Sequence, residues 1–223
     1  MGAFRIGGRV IRYAVRENSN SNYLVLNLKK DRVLEVSFPK DSKLSVKKIL
    51  EKKRPWIEKK YEELSRRKRV VGSKRALYRG KAYLVKVVRA GGTSVRMQNG
   101  RIMINVRKGQ RAREVLGKWM SQRSKRYATR KAARFVESIG VSASFSIDVK
   151  EMKSWGKCVD KNLIIFNWRL VGLPRELAEY VVAHEVVHLA EGGHSRRFER
   201  KLSGICSEYK ELSKELRSYS TYS

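Results

Sequence analysis

Histidine is nearly missing from this 223-residue chain, which holds three. Cysteine is rarer still, with Cys158 and Cys206 alone, and proline occupies three positions. Two cysteines exclude a disulfide framework, and a reduced, cytoplasmic setting is expected. No stretch reaches the roughly 18 uninterrupted apolar residues of a membrane span. The opening Met-Gly-Ala-Phe-Arg-Ile-Gly-Gly lacks the apolar region of a signal peptide. Gly2 is a poor myristoylation signal, because Ile6 stands where Ser or Thr is needed. No membrane partner is expected.

Acidic residues are the next scarcity. The chain carries 52 Lys and Arg against 21 Asp and Glu, a net charge of +31. Residues 1–70 hold 20 cations and 8 acids, residues 71–150 hold 20 and 3, and residues 151–223 hold 12 and 10. The last third is close to neutral and a polycation precedes it. Such a field attracts nucleic acid or another polyanion. With so few acids in 71–150, balanced surface ion pairs cannot absorb the charge there. The expected nucleic-acid contact is a basic helix over residues 111–138, through Arg111, Arg113, Lys118, Arg123, Lys125, Arg126, Arg130 and Lys131.

All three histidines fall within eleven residues, as His184, His188 and His194, with Glu185 following the first. His-Glu-x-x-His on a helix stacks two imidazoles one turn apart on one face. They can share a metal ion while the adjacent carboxylate faces its water. The segment reads as a catalytic zinc site.

Alternation of apolar and polar residues predicts strands at 9–17, 23–28 and 33–38, the last ending at Pro39, with a turn over 18–22. These are expected to form a small antiparallel sheet. A helical stripe from Ser45 to Tyr61 is interrupted near Pro55. Ser65–Val71 reads as a basic linker, so two regions are expected, 1–72 and 73–223. Further strands are expected at 76–78, 82–89 and 101–106, with Asn99-Gly100 as a hairpin signal. In the helix 111–138, which Gly140 ends, Val115, Trp119, Tyr127, Ala128, Phe135 and Val136 supply the buried side. A strand at 145–150, a turn-like block Trp155–Cys158 and an apolar strand 162–170 follow. Pro174 opens the metal helix, with Glu176 at its positive end. Gly192-Gly193 ends it and turns His194 back towards the first two histidines. Ser195 caps a last helix whose Phe198, Leu202, Ile205, Tyr209, Leu212 and Leu216 pack under the site.

The sequence resembles the YgjP-like metallopeptidase family, zincins akin to SprT-like and WLM proteases. The likeness rests on Pro55-Trp56-Ile57, Tyr78-Arg79-Gly80-Lys81-Ala82-Tyr83, Trp155-Gly156-x-Cys158 and Asn167-Trp168-Arg169-Leu170. It continues through Tyr180-Val181-Val182-x-His184-Glu185 and His194-Ser195-x-x-Phe198. It implies an α+β zincin-like catalytic domain behind a β-rich N-terminal portion. It also implies Zn2+ ligands at His184, His188 and His194, with Glu185 as general base. Lys157 departs from the small serine common there.

Three imidazole nitrogens with one open position suit catalytic rather than structural zinc. Glu199 competes with His194 for the third place. The expected reaction is peptide hydrolysis, in which zinc lowers the pKa of its water to about 7 and Glu185 shuttles the proton. No histidine is left for the oxyanion, so Arg169, Tyr180 and Tyr209 are the candidates. The strand 162–168 is either a cleft edge that a peptide joins or a core strand. The peptide or protein substrate is expected among nucleic-acid-associated proteins. Two alternatives stand beside this: a metal-dependent phosphohydrolase acting on nucleotides, and a basic nucleic-acid-binding protein with a vestigial zinc site.

Overall fold

The computed structural model describes residues 2–18, 22–29, 33–40, 45–141 and 144–222; most of the turn expected at 18–22 lies outside them. Helices and strands mix in an α+β arrangement, and the chain divides into two units, Met1–Arg67 and Lys68–Ser223.

The first unit contains β1 (Gly2–Ile6), β2 (Arg9–Asn18), β3 (Val25–Leu28), β4 (Leu34–Pro39), α1 (Val46–Lys52) and α2 (Arg54–Arg66). The sheet order is β1-β2-β4-β3. It is not wholly antiparallel as expected, since β2 and β4 run parallel. β3 lies outside β4 rather than beside β2, and the sheet gains a strand, β1, that the sequence does not predict. This strand takes one edge of β2 through the Gly7-Gly8 turn, both glycines at positive φ, and β4 takes the other. Ile6, Ile11, Leu34, Val36 and Phe38 of the sheet close on Leu50 and Ile57. Pro55 sits in the first turn of α2, where its missing N–H costs nothing.

The second unit begins with β5 (Lys68–Arg69), β6 (Arg75–Tyr78), β7 (Lys81–Arg89), β8 (Ser94–Gln98), β9 (Arg101–Val106) and α3 (Ala112–Ser138). It continues with β10 (Ser146–Lys150), β11 (Gly156–Val159), β12 (Leu163–Asn167) and a 3-10 turn at Leu170–Gly172. The last elements are α4 (Arg175–Val187), α5 (Arg196–Ile205), α6 (Tyr209–Leu216) and β13 (Tyr219–Ser220). The stretch expected as a linker holds the end of α2 and β5, which pairs with β13. Asn99-Gly100 forms the β8–β9 hairpin with both φ values positive. Trp155–Cys158 is no turn but runs into β11, paired with β12. The expected last helix splits, because Cys206 is extended (φ −143, ψ 90). Among the described residues, no helix is long and apolar enough to cross a membrane.

α3 organises this unit. Its buried ridge is Leu116, Met120, Ser124, Ala128 and Ala132, one residue per turn, whereas the three aromatics expected there, Trp119, Tyr127 and Phe135, are half-buried beside it. The two alanines leave room for α4, which packs on α3. The Ser124 hydroxyl donates to the Trp168 carbonyl (2.9 Å) and accepts from the Val171 N–H (3.1 Å). This bond pair fixes the chain just before α4. Gly172 lies on the Val70 side chain and the Leu77 carbonyl where a Cβ would stand, so glycine is required for the turn to dock. Gly140, at φ 64, ends α3 with the Val141 N–H bonded to Val136 O and its own to Glu137 O, the pairing of a Schellman motif.

Candidate metal centre

α4 is held from both ends. Pro174 precedes its first turn and Glu176 lies within it. Buried Leu177, Ala178, Val181, Val182, Val186 and Val187 pin its inner side. His184 and His188 therefore point from a fixed helix, although the regular helix ends at Val187. His188 keeps helical angles (φ −65, ψ −16), so the one-turn spacing survives. The turn begins sooner than expected, with Leu189, Ala190 and Glu191 bonding back to Val186 and Val187 carbonyls. Gly192 and Gly193 lie exposed in the following loop, neither at positive φ, so they do not end the helix. The Ser195 hydroxyl accepts from the Phe198 N–H at 3.3 Å and starts α5, and the residue just before that cap is His194.

The loop brings the three imidazoles together. His194 Nε2 lies 3.1 Å from His184 Nε2, and one ligand atom from each ring falls within 4.8 Å of the others. Two nitrogens on one tetrahedral zinc at about 2.0–2.1 Å stand roughly 3.3 Å apart, close to this separation. Ring centroids are 5.0, 5.0 and 4.9 Å apart. Phe198 underlies all three rings at 5.0, 4.6 and 4.8 Å, as expected of a residue packed under the site. The His188 Nδ1 faces the Glu191 carbonyl at 3.0 Å. That bond needs a proton on Nδ1 and leaves the Nε2 lone pair for a ligand. His184 is held neutral, its pKa lowered to about 4 by burial and by the neighbouring His188 and His194. Three ring nitrogens that converge this closely, two of them on a single helix face, suit a metal ion. Glu199, exposed on α5, is not in the group.

A family model of the YgjP-like metallopeptidase domain matches residues 22–219. The chain belongs to the YgjP-like metallopeptidase family. Its membership implies a metal ion and peptide or protein substrates. The crystal structure of the metallopeptidase zymogen of Pyrococcus abyssi abylysin resembles it at 19% identity and a TM-score of 0.37, over 40% of this chain and 90% of that one. No curated protein matches.

In this family member Glu185 is buried beside the histidines. Burial pushes its carboxyl up to about 7, against the N–H of Cys158, whose hydrogen bond lowers it. Gly156 makes the space: a Cβ there would lie 2.5 Å from Glu185 Cγ and 2.7 Å from Oε1. In the sequence Gly156 stands in an expected turn-like block and in the family likeness, and the fold alone shows what its missing side chain accommodates. Strand alternation turns the Lys157 side chain away from that side of β11, and it is exposed, so the departure leaves the carboxylate untouched. Cys158 is half-buried, with its thiol pushed up chiefly by burial and then by Glu185.

The oxyanion candidates separate. Tyr180 lies one turn before His184, their rings 5.9 Å apart edge to face. Tyr209 sits half-buried on α6 against the main core. Arg169 is wholly buried, bonded to Glu151 at 2.9 Å and stacked on Trp168 at 4.0 Å, a position that braces the turn before α4 rather than meeting a substrate. β12 lies between β10 and β11, so it is the core strand of the two readings, and of the two edge strands β11 is the one that carries Gly156 beside Glu185. On the basic helix, Lys131 is clamped to Glu179 with its side chain 11% exposed, and Arg111 faces Glu114 at 4.0 Å.

Proposed function

We propose that the protein is a zinc-dependent peptidase whose general base is Glu185 and whose substrates are proteins associated with nucleic acid. One observation carries the reading: a ligand nitrogen from each of three imidazoles converges on a point beside a buried carboxylate. The ion, when bound, supplies Lewis-acid activation of a carbonyl and of water. His184, His188 and His194 hold it, the His188 ring oriented by the Glu191 carbonyl. The Glu185 carboxylate receives a proton from the attacking water and returns it to the leaving amine. The Cys158 N–H and the space over Gly156 fix where that carboxylate stands. Register along the β11–β12 pair turns the N–H and carbonyl of Gly156 and the carbonyl of Cys158 away from β12, while the Cys158 N–H serves Glu185, and an extended peptide joins that edge through the remaining groups. The charge of residues 71–150 supports the choice of nucleic-acid-associated substrates.

The test compares wild type with Glu185→Ala on unfolded casein and on a nucleoside triphosphate, with zinc content measured on both proteins. The expected result is retained zinc with proteolysis reduced by about 10²–10⁴-fold. Unchanged proteolysis overturns the role of Glu185, and nucleotide hydrolysis in place of proteolysis overturns the peptidase reading.

A further inference from the structure

Away from the histidines, a cavity of about 340 Å³ opens between the C-terminal half of α3, the β6–β7 turn and the start of α4. Its cations come from three places in the sequence: Arg79 from the turn, Arg130, Lys131 and Arg134 from α3, and Arg175 from α4. Glu179 binds Lys131 at 2.6 Å and Arg175 at 2.8 Å, so one carboxylate serves two of them. Among the described residues, no acid pairs with Arg79, Arg130 or Arg134. The fold spends strain to place Arg79, which adopts φ 50. Its N–H bonds to Val171 O at 2.9 Å, and the next N–H, of Gly80, to Gly172 O at 3.1 Å. A Cβ on Gly80 would lie 3.0 Å from Pro174, so the turn is pressed against the entry to α4 and cannot swing away.

The cavity is not isolated. Arg123, Arg126, Arg130 and Arg134 follow at spacings of three, four and four along α3, which places them within roughly 80° of one side of the helix and over about 16 Å of its length. Arg123 is propped by Trp119, its guanidinium 4.3 Å from the ring centre, and donates to the Tyr78 hydroxyl at 3.2 Å. Lys118 and Lys125 lie on the opposite side. A single small anion would use the cavity and leave the ladder idle. A repeating anion uses both, and planar guanidinium forks suit phosphate oxygens. We propose that this ladder and cavity form a track for the phosphate backbone of a nucleic acid, with Arg79, Arg130 and Arg134 seating one phosphate. The proposal extends the reading of nucleic-acid-associated substrates, and its test does not depend on peptide cleavage.

The experiment titrates a fluorescein-labelled single-stranded oligodeoxynucleotide, and a duplex of the same sequence, against full-length Glu185→Gln protein over a series of salt concentrations. Two charge-matched triples are compared in that background: Arg79→Ala/Arg130→Ala/Arg134→Ala in the track, and Arg111→Ala/Lys118→Ala/Lys125→Ala, outside it at the start of α3 and on the far side of the helix. Thermal unfolding establishes that each is folded. Losing the one phosphate seated there lowers the slope of log K against log salt by about 0.7 for a single strand. The track triple should show that change, with affinity down on the order of 10–100-fold at 0.15 M salt, while the other triple changes several-fold less. Equal losses in the two triples, or none in the track triple, overturn the proposal. So does weakened binding of inorganic phosphate with oligonucleotide affinity intact, which marks a small-anion site. Displacement of the oligonucleotide by polyglutamate as readily as by unlabelled nucleic acid overturns it in favour of an acidic protein partner.

Discussion

Alanine at position 156 isolates the placement of one carboxylate. Gly156 is not at positive φ, so its backbone accepts a side chain and the added Cβ acts through contact alone. That atom would stand 2.5, 2.7 and 2.8 Å from Cγ, Oε1 and Cδ of Glu185, against ordinary carbon contacts of about 3.5–4.0 Å. Glu185 is on a buried helix and 7% exposed, so it has little free space to retreat into. Restoring contact distance moves the carboxylate by roughly 1 Å, and a displacement of that size at a reacting group costs about 100-fold, or about 2.7 kcal/mol of barrier. Gly156→Ala should therefore keep its zinc and its fold and lose about 100-fold in kcat on a fluorogenic casein. Lys157→Ala, one residue on with its side chain on the other side of the strand, should stay within about 2-fold. A zinc-loaded Gly156→Ala protein with kcat within 2-fold of wild type would refute the reasoning, because the Glu185 carboxylate would then have no fixed place in the reaction.

His194→Ala removes one of three converging nitrogens, so zinc affinity measured by chelator competition should fall by more than about 100-fold, whereas Glu199→Ala should leave it unchanged; the opposite pattern would make Glu199 the third ligand. Ser124→Ala leaves the buried Trp168 carbonyl and Val171 N–H without their partner, a cost of about 2–4 kcal/mol readable in urea unfolding, and a midpoint equal to wild type would show that water replaces the hydroxyl.

The sequence showed the chemistry more clearly than the architecture, for physical reasons. His184, Glu185 and His188 are local: a four-residue spacing on a helix is enough to place them. His194 was reachable because only a short loop separates it from the helix, although the two glycines credited with the reversal turned out to lie past the helix end. β8 stayed hidden because Ser-Val-Arg-Met-Gln, although it alternates, is five residues long with two apolar side chains and is half-buried at most. β11 was read as a turn because its signal is a pairing with β12, a property of distant residues rather than of Gly-Lys-Cys-Val itself. The buried ridge of α3 was misread towards its aromatics. Close approach of α4 favours small residues, of which periodicity picks out Ala128 but passes over Ala132 and the buried Ser124. Arg79, Arg134 and Arg175 went unremarked as a group because they lie far apart in sequence and meet only when the β6–β7 turn docks beside α4.

That meeting raises the question of how a polycation tolerates a site for a divalent cation. α4 supplies the answer by its length. Arg175 stands at its start and His184 nine residues later, about 14 Å along the axis. This exceeds the Debye length of about 8 Å at physiological salt. In water a unit charge at that distance acts on a divalent ion by about 0.6 kcal/mol before screening and roughly 0.1 kcal/mol after it. Lys131 and Arg175 are further offset by Glu179, which lies between them and the histidines on the same helix. The near balance of 12 cations and 10 acids in residues 151–223 adds little net repulsion of its own, so distance along α4 and the Glu179 carboxylate together keep the polycation from opposing an ion at the histidines.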